Sequence, residues 1–130
     1  MRAGGDPILL VEDDESLRRI MARNLRARAY RVEEAGSCED AVRLIDGGLR
    51  PALIVLDLNL PGDTGWDLLR GPALKAAGSP PVVIASGTTV NPKRLAEFAV
   101  AGYLPKPFPL ETLLDTVGRV TGRSMPEGEP

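Results

Sequence analysis

Residues 52–56 form an unbroken apolar run, Ala52, Leu53, Ile54, Val55 and Leu56, and the next residue is Asp57. A short run of this kind, rich in Ile, Val and Leu, reads as a strand buried on both faces inside a parallel sheet. Leu58, Asn59 and Leu60 follow, and then Pro61-Gly62, a turn signal. Asp57 therefore stands where an inner strand leaves the core. A charge buried mid-strand would be costly. At the carboxyl end of the strand it is wet, can be partnered, and lies where open α/β sheets build their sites. From this stretch alone, an Asp that merely opens a turn reads equally well, so the rest of the chain has to decide.

The same grammar recurs along the chain. Ile8, Leu9, Leu10 and Val11 form an apolar run that ends in Glu12, Asp13 and Asp14. Leu17, Ile20, Met21 and Leu25 then fall at helical spacing, and Glu15 or Ser16 is the expected cap. The other face of that helix carries Arg18, Arg19, Arg23, Arg26 and Arg28. These read as a solvated face, with docking to an acidic partner as the sharper alternative. Residues 30–35 alternate as an edge strand does. Ser37, Cys38, Glu39 and Asp40 make a capping-box pattern ahead of Ala41, Val42, Leu44 and Ile45, and Gly47-Gly48 stops that helix.

Residues 65–69 begin a third helix, which Gly71-Pro72 interrupts. A fourth strand, Val82, Val83, Ile84 and Ala85, ends at Ser86, Gly87, Thr88 and Thr89. Asn91-Pro92 opens a short fourth helix, an N-cap with proline in the first turn. Tyr103, Leu104 and Pro105 form a weak strand whose proline confines it to an edge. Lys106, Pro107 and Phe108 follow, and Leu110, Leu113, Leu114, Val117 and Val120 make the last amphipathic helix. Residues 1–5 and 122–130 are expected to be flexible tails, leaving 6–121 as one domain. Five strands alternating with five helices predict a doubly wound α/β fold, a five-stranded parallel sheet covered on both faces. In such a sheet the carboxyl ends of all strands share one edge. Glu12, Asp13, Asp57, Ser86 and Lys106 each follow a strand, so one rule of the fold brings them together.

Composition excludes several function classes. The 130 residues contain no His, which removes His-based metal sites and His acid–base catalysis. A net charge of −2 without a basic run, and only two Phe, two Tyr and one Trp, argue against nucleic-acid binding by this domain. The single Cys38 cannot form an internal disulfide, which fits a reducing cytoplasm. No apolar run reaches membrane-spanning length, and the run at 8–11 is too short for a signal peptide.

Three carboxylates crowded at one edge repel one another and need a cation. With oxygen ligands alone, Mg²⁺ or Mn²⁺ fits best, because a calcium cage would want more ligands. A lysine and a hydroxyl on the other side of Asp57 complete a cup for three anionic oxygens. That is equipment for handling a phosphoryl group.

Four stretches taken in order resemble the receiver domains of bacterial two-component response regulators: Val11 to Asp14, Leu56 to Gly62, Ala85-Ser86-Gly87, and Tyr103 to Phe108. The resemblance implies a flavodoxin-like (βα)5 sheet of order 2-1-3-4-5. It implies that Asp57 is the phosphoacceptor and that Glu12, Asp13, Asp57 and the backbone carbonyl of Asn59 hold Mg²⁺ (or Mn²⁺). Ser86 matches the switch hydroxyl, Lys106 the lysine that pairs with the phosphoryl oxygens, and Tyr103 the aromatic switch. Asn59 and Thr88 match positions that tune dephosphorylation. The Lys106–Pro107 bond matches a cis peptide, and Asp14 is an extra acid beyond the metal pair.

The resemblance further implies a cytoplasmic signalling domain rather than an enzyme, with at most intrinsic self-phosphorylation and self-dephosphorylation. Its partners would be a sensor histidine kinase or histidine phosphotransfer protein and a downstream target or fused output domain. Phosphorylation would change the surface of the fourth helix, fifth strand and fifth helix. Ala99, Val100, Ala101 and Gly102 lack the acid pair of winged-helix transcription-factor receivers, so any phosphorylation-dependent dimer is expected to differ from theirs. The span from Ser86 to Lys106 is about two residues short of the usual pattern, which predicts an abbreviated fourth helix.

Three alternatives compete. A haloacid-dehalogenase-type phosphohydrolase needs an acid two residues after its nucleophile, and that position is Asn59. A pseudo-receiver would dock without accepting phosphate, although the site residues are all present. A flavodoxin-type flavin site needs a phosphate cradle after the first strand, where this chain is acidic.

Overall fold

Apolar periodicity in this chain switches between two and 3.6 residues, and the elements follow it. The computed structural model describes residues 7–59 and 65–122. Its elements run β1 (Ile8–Val11), α1 (Glu15–Ala27), β2 (Val32–Ala35), α2 (Cys38–Asp46) and β3 (Leu53–Asp57). Then come α3 (Gly65–Arg70), α4 (Pro72–Ala76), β4 (Val82–Ser86), α5 (Pro92–Glu97), β5 (Gly102–Pro105) and α6 (Leu110–Thr121). Every strand pair is parallel and the order is β2-β1-β3-β4-β5, the doubly wound arrangement expected. The tails at 1–5 and 123–130, and the Leu60-Pro61-Gly62 turn, lie outside the described residues.

Alternate residues of the inner strands serve two cores. Leu9, Val11, Ile54, Leu56, Val82 and Ile84 pack with α2, α3, α4 and α5. Ile8, Leu10, Leu53, Val55, Val83 and Ala85 pack with α1 and α6. A strand covered on both faces cannot alternate with polar residues, which is why β1, β3 and β4 read as continuous apolar runs.

Local chemistry sets most helix ends. The Ser37 hydroxyl accepts from Asp40 N at 3.1 Å, and Asn91 Oδ1 accepts from Lys93 N at 2.8 Å, each satisfying an otherwise orphaned amide. Gly71 and Pro72 split the third helical region into α3 and α4, so five helical regions become six helices. The fourth helical region, α5, spans only six residues and has none buried, in keeping with the short span predicted for it.

Two expectations about α1 are corrected. Its N-cap is Asp14, whose Oδ1 accepts from Leu17 N at 3.1 Å, rather than Glu15 or Ser16. Ile20 is 47% exposed, the large apolar side chain left in solvent among the described residues. Met21, Ala22 and Leu25 take the core, and Ile20 falls on the flank of that stripe. β2 also begins at Val32, two residues later than the alternation suggested.

Candidate functional site

Strand register levels the carboxyl ends. Val11 lies opposite Leu56, Asp57 opposite Ala85, and Ser86 opposite Pro105. The chain emerges at the same edge with Asp57 and Ser86 as the last residues of β3 and β4, and with Glu12 and Lys106 one step beyond β1 and β5. Backbone bonds hold the rim: Glu12 N donates to Ala35 O at 3.0 Å, Leu58 N to Ala85 O at 3.0 Å, and Lys106 N to Ser86 O at 2.8 Å.

Asp57 is 2% exposed and held at both oxygens. Oδ1 accepts from Asn59 N at 2.9 Å, and Oδ2 accepts from Lys106 Nζ at 3.2 Å. Glu12 is 1% exposed. Its Oε1 accepts from Lys106 Nζ at 2.8 Å, and its Oε2 from Asp14 N at 3.1 Å. One ammonium therefore serves two buried carboxylates. The electrostatics register the crowding. Burial pushes the Glu12 carboxyl above its ordinary 4.5, Asp57's charge adds to this, and the bonds from Lys106 and Asp14 N only partly oppose it. Burial pulls Lys106 down, but the hydrogen bond and charge of Glu12, with those of Asp57, outweigh it and hold the ammonium above 10.5.

Asp13, next to Glu12, is exposed. Glu12, Asp13 and Asp57 each offer one carboxylate oxygen, and these oxygens lie within 4.8 Å of one another. Three hard anionic donors at that spacing, with two of the groups buried and a single shared lysine, suit a small divalent cation that keeps some of its waters. Asp14 stands outside this set and caps α1 instead.

The remaining candidates meet in one turn. Ser86 is 1% exposed, and its hydroxyl lies 3.1 Å from Asn59 Oδ1, 3.0 Å from Thr88 O and 3.1 Å from Thr88 Oγ1. It also accepts from Thr88 N at 3.1 Å. A hydroxyl has one proton, so these acceptors compete for it. Among the described residues it is engaged by Asn59 and Thr88 rather than by Asp57. Tyr103 is half-buried and its hydroxyl donates to Thr88 O at 3.3 Å, so it already reaches the Ser86 turn. The Lys106–Pro107 peptide is cis.

Two further residues frame the site that the one-dimensional pattern did not single out. Arg18, counted above with the solvated arginines, is half-buried and donates to the Glu12 carbonyl at 2.9 Å. Gly65 opens α3 so close to β3 that a Cβ there would lie 2.8 Å from Asp57 O and 2.9 Å from Leu58 Cα. A glycine at a helix start was the available hint for Gly65. Nothing comparable marked Arg18.

Comparison with known proteins agrees with this geometry. The family model described as "Response regulator receiver domain" matches residues 8–118. Response regulator MprA of a Mycobacterium species (strain KMS) is 32% identical over 126 residues, covering 95% of this chain and 54% of that protein. The chain thus spans about half the length of the curated relatives it matches. The non-phosphorylated HemR receiver domain of Leptospira biflexa is 34% identical, with a TM-score of 0.77, covering 93% of this chain and 98% of the other. Response regulator TrrA of Thermotoga maritima, in complex with Mg²⁺–BeF, shares the fold at 23% identity and a TM-score of 0.75, covering 88% of this chain and 98% of the other. No described helix is long and apolar enough to cross a membrane. With one family's pattern running from the first strand into the last helix, and relatives above 30% identity that bear its name, this chain belongs to the response regulator receiver domain family.

Proposed function

We propose that this domain accepts a phosphoryl group on Asp57 from a phosphohistidine of a sensor kinase or phosphotransfer protein. The observation that carries this is the placement of one carboxylate, Asp57, between an ammonium at 3.2 Å and two further carboxylates within 4.8 Å. A carboxylate oxygen of Asp57 forms the new bond to phosphorus while the bond from phosphorus to the donor nitrogen breaks, and the electron pair leaves with the imidazole. Lys106 is positioned to follow the incoming charge, because its ammonium already lies on Asp57. Glu12, Asp13 and Asp57, with the backbone carbonyl of Asn59, would hold Mg²⁺ or Mn²⁺. That ion would supply charge neutralisation at the transferring oxygens. The TrrA complex with Mg²⁺–BeF supports the same reading by analogy of fold.

Ser86 would turn from Asn59 and Thr88 toward the phosphoryl oxygens, gaining a charge-assisted bond as Lys106 does. The bond from Tyr103 to Thr88 O supports a coupled movement of that ring, which would alter the face of α5, β5 and α6. A swing from 1:99 to 99:1 needs about 5 kcal/mol of preference, within reach of one or two such bonds and the metal. The donor would dock beside the acceptor, where Leu17, Lys106, Pro107 and Phe108 line a cavity of about 350 Å³. Ile20 is exposed on the same helix as Leu17. Output would pass to a downstream protein or a fused output domain, in the cytoplasm.

The test is intact-protein mass after incubation with acetyl phosphate and Mg²⁺. One added phosphoryl group is expected in the wild type and none in Asp57→Asn or after chelation. An unmodified wild type would favour a docking module that takes no phosphate.

A further inference from the structure

Arg18 does not lie in solvent as the helical spacing suggests. Its side chain is 18% exposed, and its guanidinium forks between two elements. Nε donates to Glu34 Oε1 on β2 at 3.1 Å, and Nη1 donates to the backbone carbonyl of Glu12 at 2.9 Å. Gly36 leaves room for it, since a Cβ there would sit 3.1 Å from Arg18 Nη1. Glu34 is steadied in turn by Arg26, 3.1 Å away, and Arg26 also donates to Val32 O at 2.9 Å.

The carbonyl that Arg18 holds belongs to the peptide joining Glu12 to Asp13. Because a peptide is planar, the direction of that carbonyl fixes where the amide and Cα of Asp13 lie, and so the base from which its carboxylate reaches. Glu12 has independent anchors: its amide on Ala35 O, Oε1 on Lys106 and Oε2 on Asp14 N. Among the described residues, no hydrogen bond or ion pair holds the Asp13 carboxylate. Its aim starts from the backbone, which Arg18 holds at the Glu12 carbonyl on one side of Asp13 while the Glu12 carboxylate holds Asp14 N on the other.

We propose that Arg18 is a positioning residue for the divalent-ion site: anchored through Glu34 to the edge strand, it orients the Glu12–Asp13 peptide so that Asp13 faces Asp57. This rests on the reading of the acidic cluster as a Mg²⁺ or Mn²⁺ site. Removing a cation near three carboxylates would tighten divalent binding by Coulomb's law, whereas losing the strut weakens it.

Mn²⁺ titration followed by electron paramagnetic resonance, well below each variant's melting temperature, separates the two. Outer partners of metal ligands typically contribute ten- to a hundredfold in affinity, so Arg18→Met is expected to bind Mn²⁺ about tenfold more weakly than wild type. Arg18→Lys keeps the charge without the fork, and is expected to lose several-fold. Arg26→Met removes a charge and a Glu34 partner but leaves the Glu12 carbonyl alone, and should stay within twofold of wild type. Should Arg18→Met fail to fold, Arg18→Lys and Glu34→Gln carry the same test. Unchanged or tighter binding in the Arg18 variants would overturn the proposal, as would an equal loss in Arg26→Met, which would mean general loosening of β2. A wild type that binds no Mn²⁺ at all would overturn the underlying metal reading, and this inference with it.

Discussion

Replacing Lys106 by Met probes the electrostatic balance of the site directly. The methionine keeps most of the aliphatic stem, so the change removes a charge more than it removes packing. Lys106 Nζ lies 2.8 Å from Glu12 and 3.2 Å from Asp57. At an effective dielectric of about 20, each contact is worth roughly 5–6 kcal/mol in Coulomb terms. Desolvating the three groups returns most of that gain, and breaking buried pairs by removing one partner typically costs about 3–5 kcal/mol. The lysine side chain is 22% exposed while both carboxylate side chains are 2% exposed. Solvent therefore screens one side only, and the lower end, about 3 kcal/mol, is expected. For a domain of this size that corresponds to a fall of about 10 °C in melting temperature.

The assay is urea and thermal unfolding of both proteins, in chelator and across a Mg²⁺ series. Added Mg²⁺ should shrink the gap, because a cation bound by the same carboxylates replaces the missing charge. The pH dependence follows from the sign of the lysine shift. Lys106 is held above 10.5 in the folded state, so its stabilisation is fully present below pH 10.5 and is lost as pH rises through the higher folded value. The gap should be flat from pH 7 to 9. It should narrow on the acid side from above pH 4.5, where Glu12, raised chiefly by burial, takes up its proton. A variant within about 1 kcal/mol of wild type in chelator, or a loss that Mg²⁺ leaves untouched, would refute the reasoning.

Three further outcomes follow from the same geometry. Asp13→Asn should abolish most Mn²⁺ binding with little change in stability, whereas Asp14→Ala should cost about 1 kcal/mol as a lost cap and spare the metal; the reverse pattern in titration and urea unfolding would mean the acids are misassigned. Gly65→Ala should destabilise by about 1–3 kcal/mol, since the new methyl meets Asp57 O and Leu58 Cα rather than a flexible side chain; an unchanged urea midpoint would contradict this. Substituting Asn59 and Thr88 together should alter the lifetime of phosphorylated Asp57, because both flank the Ser86 hydroxyl and neither is an acid or base able to activate water; an unchanged decay rate would show that they do not tune it.

Local chemistry dictates part of this molecule outright. Apolar runs at 8–11, 53–56 and 82–85 had to be inner strands, because no amphipathic element tolerates apolar residues on both faces. Ser37 and Asn91 had to cap helices, because each supplies an acceptor three or two residues before an orphaned amide. Asp57 had to emerge at a strand end. Other features depend on how elements rotate and where distant residues meet. Lys106 meets Glu12 across 94 positions, a pairing that only strand order and register create. Arg18 turns from solvent to Glu34 because α1 packs beside β2, and Ile20 is left exposed because Met21, Ala22 and Leu25 take the core. Asp14 caps α1 at Leu17 N, a local contact, while the register that gathers Glu12, Asp13 and Asp57 leaves it outside the cluster. Periodicity tells which residues share a face; it carries no information about which partner that face will find.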